Sequence, residues 1–357
     1  VRCVDWLRGL AVLVMIECHA LVLLLPGHDN DAARHWFNSI NGLAAPTFIF
    51  CAGFALALGF GRVRQDRDAR RARTIRSLRR IGIVLIISIL LKHLFWQPFS
   101  HPVRFLWLNV LDCILLSMLA MIPVLLLLRW RGTVLVILSL LTFVAAPLVA
   151  SPRDFGWLNP ILNNRLYVDT WPLVPWAGYA FCGGAIGILL ASRPSVRTIL
   201  LGWIVLGVVA FAATEIAPLL HSLFAESYDP YLLTNIGQRL LRIAIAGLAL
   251  LGIEQLVRSY PRIGRNPALW LIDLFGRQSL VAYVTHLLLL FCPNLIPSMP
   301  SIWHSADWGL FAMQTIGLII LTASVCYLFD QRSGRTMPIP AATIGPLEPE
   351  PLPDTSP

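Results

Sequence analysis

Trp6-Leu-Arg-Gly-Leu-Ala-Val-Leu-Val-Met-Ile-Glu-Cys-His-Ala-Leu-Val-Leu-Leu-Leu25 decides the fold. As a helix this run extends roughly 30 Å, the thickness of a bilayer's hydrocarbon core, and it is apolar save for a few ionisable groups. Comparable runs recur as far as residue 329 with short polar breaks between them. The spacing predicts about ten spans, near 6–25, 38–60, 78–97, 106–128, 133–150, 173–191, 197–213, 233–256, 270–294 and 309–329. The 357 residues are 57% hydrophobic and 13% charged, with a mean hydropathy of +0.71, which excludes a water-soluble globule. The expected fold is therefore all-α, a polytopic integral membrane helix bundle over residues 1–330. Residues 331–357, rich in proline and polar groups, read as a disordered tail.

The formal charge of +9 is distributed by topology and is not read as a nucleic-acid footprint. Nine arginines from Arg62 to Arg80 follow span two, and smaller basic clusters recur at alternate connections, at Arg129/Arg131, Arg193/Arg197, Arg258/Arg262/Arg265 and Arg332/Arg335. Cytoplasmic loops carry this excess, which predicts cytoplasmic termini and an even number of spans. The nine-arginine loop has two readings, a topology determinant or a site for an anionic partner. Span one carries Asp5, Arg8 and His19 and lacks a small-residue cleavage pattern, so it is expected to stay as a helix. The seven cysteines are scattered without metal-ligand spacing, and neither disulfides nor a metal site are expected.

Ionisable groups inside spans are costly, so each marks a candidate site. Arg8 and His19, eleven residues apart, return to within about 20° of one helix face, and Asp5 lies about 40° from His19. The rise between Arg8 and His19 is roughly 16 Å, which puts the guanidinium at the cytoplasmic boundary and the imidazole beyond the midplane. Glu17 faces the opposite way and is expected to meet a neighbouring helix. A neutral imidazole can take a proton from an attacking hydroxyl or amine, and a guanidinium can hold phosphate bidentately. Asp112 in span four either orients a histidine or arginine or sits in a buried ion pair. Gln238, Arg239 and Arg242 in span eight are expected to pair with Asp112 or Glu215, and Lys92 and His93 to anchor at the interface. Span nine repeats the order of span one, with Arg277 at one end, Ser279 next to it and His286 deep. The loop residues His28 and His35, and Trp157 through Asp169, face the outside; the latter group suits either an aromatic belt or a sugar.

Four stretches together resemble the bacterial relatives of heparan-alpha-glucosaminide N-acetyltransferase. They are Arg2-Cys-Val-Asp-Trp-Leu-Arg-Gly-Leu through His19, Ala44-Ala-Pro-Thr-Phe-Ile-Phe-Cys-Ala-Gly-Phe54, Pro172-Leu-Val-Pro-Trp-Ala-Gly-Tyr179 with Gly183/Gly184, and Phe275-Gly-Arg-Gln-Ser-Leu-Val-Ala-Tyr-Val-Thr-His286. Arg8 and His19 with ten residues between them also resemble the motif of transmembrane O-acyltransferases that modify surface polysaccharides. The resemblance implies transfer of an acetyl group from cytoplasmic acetyl-CoA to an extracytoplasmic sugar amine or hydroxyl on a glycan or glycolipid. In the family the catalytic histidine lies just before span two, where this sequence offers His35 at a different spacing, so His19 and His35 both stand as the base. Arg8, with Asp5 and Arg79 or Arg80, is the expected CoA site, with Arg277 and Ser279 as further candidates. Asp112 and His286 are the expected partners of the base. A homodimer is possible on this reading, and the rival function is a transporter that uses buried His and Arg as a relay. The preference for arginine over lysine, with Lys92 the sole lysine, suggests a bacterial inner membrane.

Overall fold

The computed structural model describes residues 2–25, 32–63, 66–96, 106–128, 131–149, 171–191, 230–260, 269–292 and 303–332, with positions 161, 204, 207, 208, 210–212 and 266 besides. Its helices are α1 (Arg2–Ala20), α2 (Ala32–Arg62), α3 (Arg67–Trp96), α4 (Val110–Leu127), α5 (Arg131–Val149), α6 (Leu173–Ala191), α7 (Pro230–Ser259), α8 (Trp270–Arg277), α9 (Ser279–Phe291) and α10 (Trp308–Arg332). No strand occurs among the described residues. Among the described residues six helices are long and apolar enough to cross a membrane, and a seventh crossing is made if α8 and α9 are one broken span. Span seven and the 331–357 tail lie outside the described residues, apart from a few positions of that span and the last two residues of α10.

The bundle turns outward the residues a soluble protein would hide. Ile83, Ile86 and Leu90 on α3, Ile137 and Leu141 on α5, and Met313, Ile316 and Ile320 on α10 are all exposed. Continuous apolar faces of this kind are matched by lipid, so the protein is a multi-pass membrane protein.

Lipid supplies no hydrophobic drive between helices, so association rests on close backbone approach through small residues. Two seams show this. Between α2 and α6, a Cβ at Gly53 would overlap the Ala180 carbonyl, and one at Gly183 would overlap the Phe50 carbonyl. Between α1 and α8, a Cβ at Gly9 would overlap the Ile272 carbonyl and one at Gly276 the Asp5 carbonyl. The turn Asp5–Gly9 of α1 therefore crosses the turn Ile272–Gly276 of α8 at backbone contact. The far end of α1 is also held: His304 and Ser305 backbone N–H groups donate to the Val22 and Leu23 carbonyls at 2.9 and 3.1 Å. His304 there has φ 56°.

Span nine differs from the sequence expectation of one continuous helix: α8 and α9 meet at a 92° bend. Asp330 of α10 holds the corner, accepting from Arg277 Nη2 at 2.9 Å and Gln278 Nε2 at 3.0 Å. Arg277 also pairs with Asp273, whose other oxygen accepts from Trp6 Nε1 of α1 at 3.3 Å. Polar side chains from three helices thus brace the bend, while the backbone keeps the Gln278 N–H to Leu274 and Ala282 N–H to Gln278 bonds at 2.9 Å on either side of it.

A second buried network joins α3 to α4. Lys92 Nζ lies 2.6 Å from Asp112 Oδ2, and Ser88 Oγ donates to Asp112 Oδ1 at 2.6 Å. The Asn109 side chain and the Asp112 carboxylate cap the start of α4 reciprocally. Both members of the ion pair are buried, so Lys92 is not an interfacial anchor. Of the two readings of Asp112, the buried ion pair is the one found, with Lys92 as partner, and its carboxylate does not orient a histidine or arginine.

Gly276→Leu is expected to force α8 off α1 and lower the melting temperature of the detergent-purified protein markedly, because the obstruction is backbone. For the buried pair, Asp112→Ala should cost about 3–5 kcal/mol by stranding Lys92, whereas Asp112→Leu combined with Lys92→Met should recover most of that loss. Equal destabilisation by the single and double variants would show that the pair itself is not the source.

Candidate active site

Both ends of α1 carry polar features. Near its start is a cavity of about 360 Å³ lined by Asp5 and Arg8 of α1, Arg62 at the end of α2, and Arg73 and Arg76 of α3. Arg8 is loosely paired with Asp5, at 3.8 Å. Arg73 enters because Gly59 leaves room for its guanidinium, where a Cβ would overlap it. Its Nη2 donates to the Ala55 carbonyl at 3.3 Å, while its Nε is buried without a hydrogen-bond partner. Burial, and then the charges of Arg80, Arg76 and Arg62, push the Arg73 guanidinium below its ordinary range. Four guanidiniums face one acid here, and one holds an unmet donor. An anion would relieve both.

Arg79 and Arg80 are exposed on α3 and do not line this cavity. The guanidiniums beside Arg8 are instead Arg62, Arg73 and Arg76; spacing did not single them out, since Arg80 lies on the face of Arg73 two turns further along α3. Arg277 does not reach the cavity either. Its guanidinium is engaged by Asp273 and Asp330, so it locks the α8–α9 corner. Ser279 is buried at the start of α9, beside that corner.

At the other end of α1 the two histidines expected from spans one and nine meet. His19 Nδ1 lies 2.8 Å from His286 Nε2, and His286 Nδ1 lies 2.7 Å from the Ala282 carbonyl one turn back on α9. The rings are nearly coplanar, 18° apart, with centroids separated by 5.1 Å. That distance is the N···N contact plus a ring radius on either side, so the rings meet edge to edge in line. Phe291 packs edge-on to His19 at 5.8 Å and Tyr283 to His286 at 5.7 Å. His286 is fully buried, whereas His19 keeps partial exposure.

His35 falls on the first turns of α2 and not in a loop; its side chain, together with His28 and the residues 157–169 other than 161, lies outside what is described. Glu17 faces α2 as expected, beside Asn41 and near Arg34; in strict geometry Glu17 Oε1 and both Asn41 amide atoms are unpaired. Arg239 donates to the Phe143 carbonyl of α5 at 3.2 Å. That carbonyl is free because its helical donor position is Pro147, which has no N–H. Arg242 lies near the Tyr179 phenol and against Gly42. Neither arginine pairs with Asp112, and Glu215 is outside the described residues. No group of three His, Cys, Asp or Glu side chains suited to a metal occurs among the described residues.

These features lie on α1, and comparison with known families bears on the same region. The model of heparan-alpha-glucosaminide N-acetyltransferase, catalytic, matches residues 1–213, which include Arg8, His19, Arg62, Arg73 and Arg76 but not His286. No curated protein matches the chain. The match takes in more than half of the 357 residues and holds three of the four stretches quoted from the sequence, the fourth, Phe275–His286, lying beyond it. The chain belongs to the heparan-alpha-glucosaminide N-acetyltransferase catalytic family, a family of membrane acetyltransferases.

Proposed function

We propose that this protein moves an acetyl group from acetyl-CoA, bound on the cytoplasmic side, to a hydroxyl or amine of a glycan or glycolipid on the other side, with His19 as the base. One observation carries the reading: a single helix, α1, bears an arginine-lined cavity at its start and, at its end, a partly buried histidine whose ring is held by a second histidine. The cavity of Arg8, Arg62, Arg73 and Arg76 suits the phosphates of CoA, and the cytoplasmic side follows from the arginine-rich connection between α2 and α3. The rise from Arg8 to His19, roughly 16 Å, is the distance a phosphopantetheine arm has to bridge through the bundle.

At the outer end, His19 accepts the proton of the acceptor's hydroxyl or amine as that atom attacks the thioester carbonyl. The C–S bond breaks, the sulfur leaves as CoA thiolate, and His19 returns the proton to it. Atoms and charge balance without a metal or a redox partner. The sealed histidine behind His19 and the apolar ring edges around both keep water from competing for the acyl group.

The transporter reading has one feature in its favour, the broken span at residues 277–279, since transporters bind ions at helix breaks. Asp330 and Asp273 already occupy the basic group at that break, which leaves no free guanidinium there for an anionic substrate.

With labelled acetyl-CoA and purified protein, His19→Ala is expected to slow CoA release about 10²–10⁴-fold, the usual size of general-base catalysis. Arg73→Gln should raise the KM for acetyl-CoA about tenfold while leaving kcat within a fewfold, because it removes ground-state binding. His35→Ala should retain activity; if it abolishes turnover while His19→Ala does not, the base is His35. CoA release untouched by the His19, His35 and Arg8 substitutions would sink the acetyltransferase mechanism, and proton-driven uptake into liposomes would support the transporter.

A further inference from the structure

The geometry points to His286 as a positioning residue that fixes which nitrogen of His19 does chemistry, namely Nε2. This inference rests on the reading of His19 as the base, and it concerns a residue beyond the segment that matches the family.

The deduction runs along one line of hydrogen bonds. The Ala282 carbonyl, 2.7 Å from His286 Nδ1, can only accept, so His286 Nδ1 carries a hydrogen. Reversing that tautomer would set a nitrogen lone pair against an oxygen lone pair in a buried site, with nothing to relieve it. In the neutral ring His286 Nε2 is then bare and accepts. Its partner, 2.8 Å away, is His19 Nδ1, which therefore carries a hydrogen of its own. One lone pair is left over in the chain, on His19 Nε2, and it belongs to the ring that keeps exposure. A backbone carbonyl thus sets the tautomer of one histidine, and that histidine sets the tautomer of the next.

The same line serves the charged state. When His19 Nε2 takes a proton from the acceptor, the imidazolium donates to His286 Nε2 through a charge-assisted bond, and no carboxylate is needed beside it. Asp112, the nearest candidate for that role in the sequence, is committed to Lys92, Ser88 and the start of α4. Ala282 to His286 is one helical turn, so the carbonyl that orients the relay cannot drift from the ring it orients.

The test combines two substitutions with a readout that needs no turnover. In ¹⁵N-histidine NMR of the detergent-solubilised protein, His19 is expected to show a protonated Nδ1 and a bare Nε2. His286→Leu should convert His19 to a mixture of tautomers and lower kcat about 10²–10⁴-fold with the KM for acetyl-CoA within threefold. His286→Gln, whose side-chain oxygen can stand near the position of Nε2, should keep the His19 tautomer and retain kcat within about tenfold of wild type. A His19 that carries its proton on Nε2 in the wild type overturns the proposal, as does an unchanged His19 tautomer in His286→Leu. Equal loss of activity in the Leu and Gln variants, with both proteins folded by NMR, also overturns it. If the tautomers behave as expected and neither variant changes acetyl transfer, the assignment of His19 as base fails while the relay geometry stands.

Discussion

The backbone contact between α1 and α8 is the constraint on which the rest depends. Gly9 and Gly276 bring two helices so near that each meets the other's carbonyl groups. That approach puts Trp6 against Asp273 and holds the corner at Arg277 and Gln278 beside α1, with Asp330 of α10 closing it from the other side. From this corner α9 departs along α1, and His286, seven residues after Ser279, arrives at His19. A shift of either helix by one residue would turn His286 by about 100° and end the contact. The pair of imidazoles is thus a consequence of small residues located ten residues before each of them.

The gross architecture could be read from the sequence because bilayer thickness and helical rise leave little freedom: the apolar runs at 6–25, 38–60, 106–128, 173–191, 233–256 and 309–329 all lie in helices. Other features needed three-dimensional information. The break in span nine leaves only a polar tetrad, Gly276-Arg-Gln-Ser279, as its sign, and nothing in the sequence says that Asp330 will cap it. Lys92 and Asp112 were the reverse case. They sit at the same end of two consecutive antiparallel spans, so their pairing was available to a helical-hairpin argument, but interface anchoring is the commoner fate of a lysine near a span end.

The site was legible to a similar degree. The alignment of Arg8 with His19 follows from helical periodicity, and the repetition of Arg then His in span nine signalled His286. What periodicity could not show is that the two arginines have opposite fates: Arg8 opens onto a cavity with other guanidiniums, while Arg277 is surrounded by carboxylates. The difference lies in which residues the adjoining helices present, Arg62, Arg73 and Arg76 in one case and Asp273 and Asp330 in the other. Residues that share a motif position can differ in role for this reason alone.

A membrane interior sorts polar groups more sharply than water does, because an unmet donor or acceptor there finds no solvent. Lys92 and Asp112 meet each other, Arg277 meets two carboxylates, and Arg239 meets the carbonyl that Pro147 leaves free. Each of these completes its bonding within the protein, and each is explained by packing. His19 is different: its Nδ1 is engaged and its ring keeps exposure, which leaves Nε2 with a lone pair to offer. Arg73 is different in the same way, with Nε buried and unpaired beside three like charges. Incomplete bonding in a buried place is costly unless a ligand completes it, and the two places ask for complementary things: an anion at Arg73 of α3, beside the start of α1, and a proton at His19 near its end.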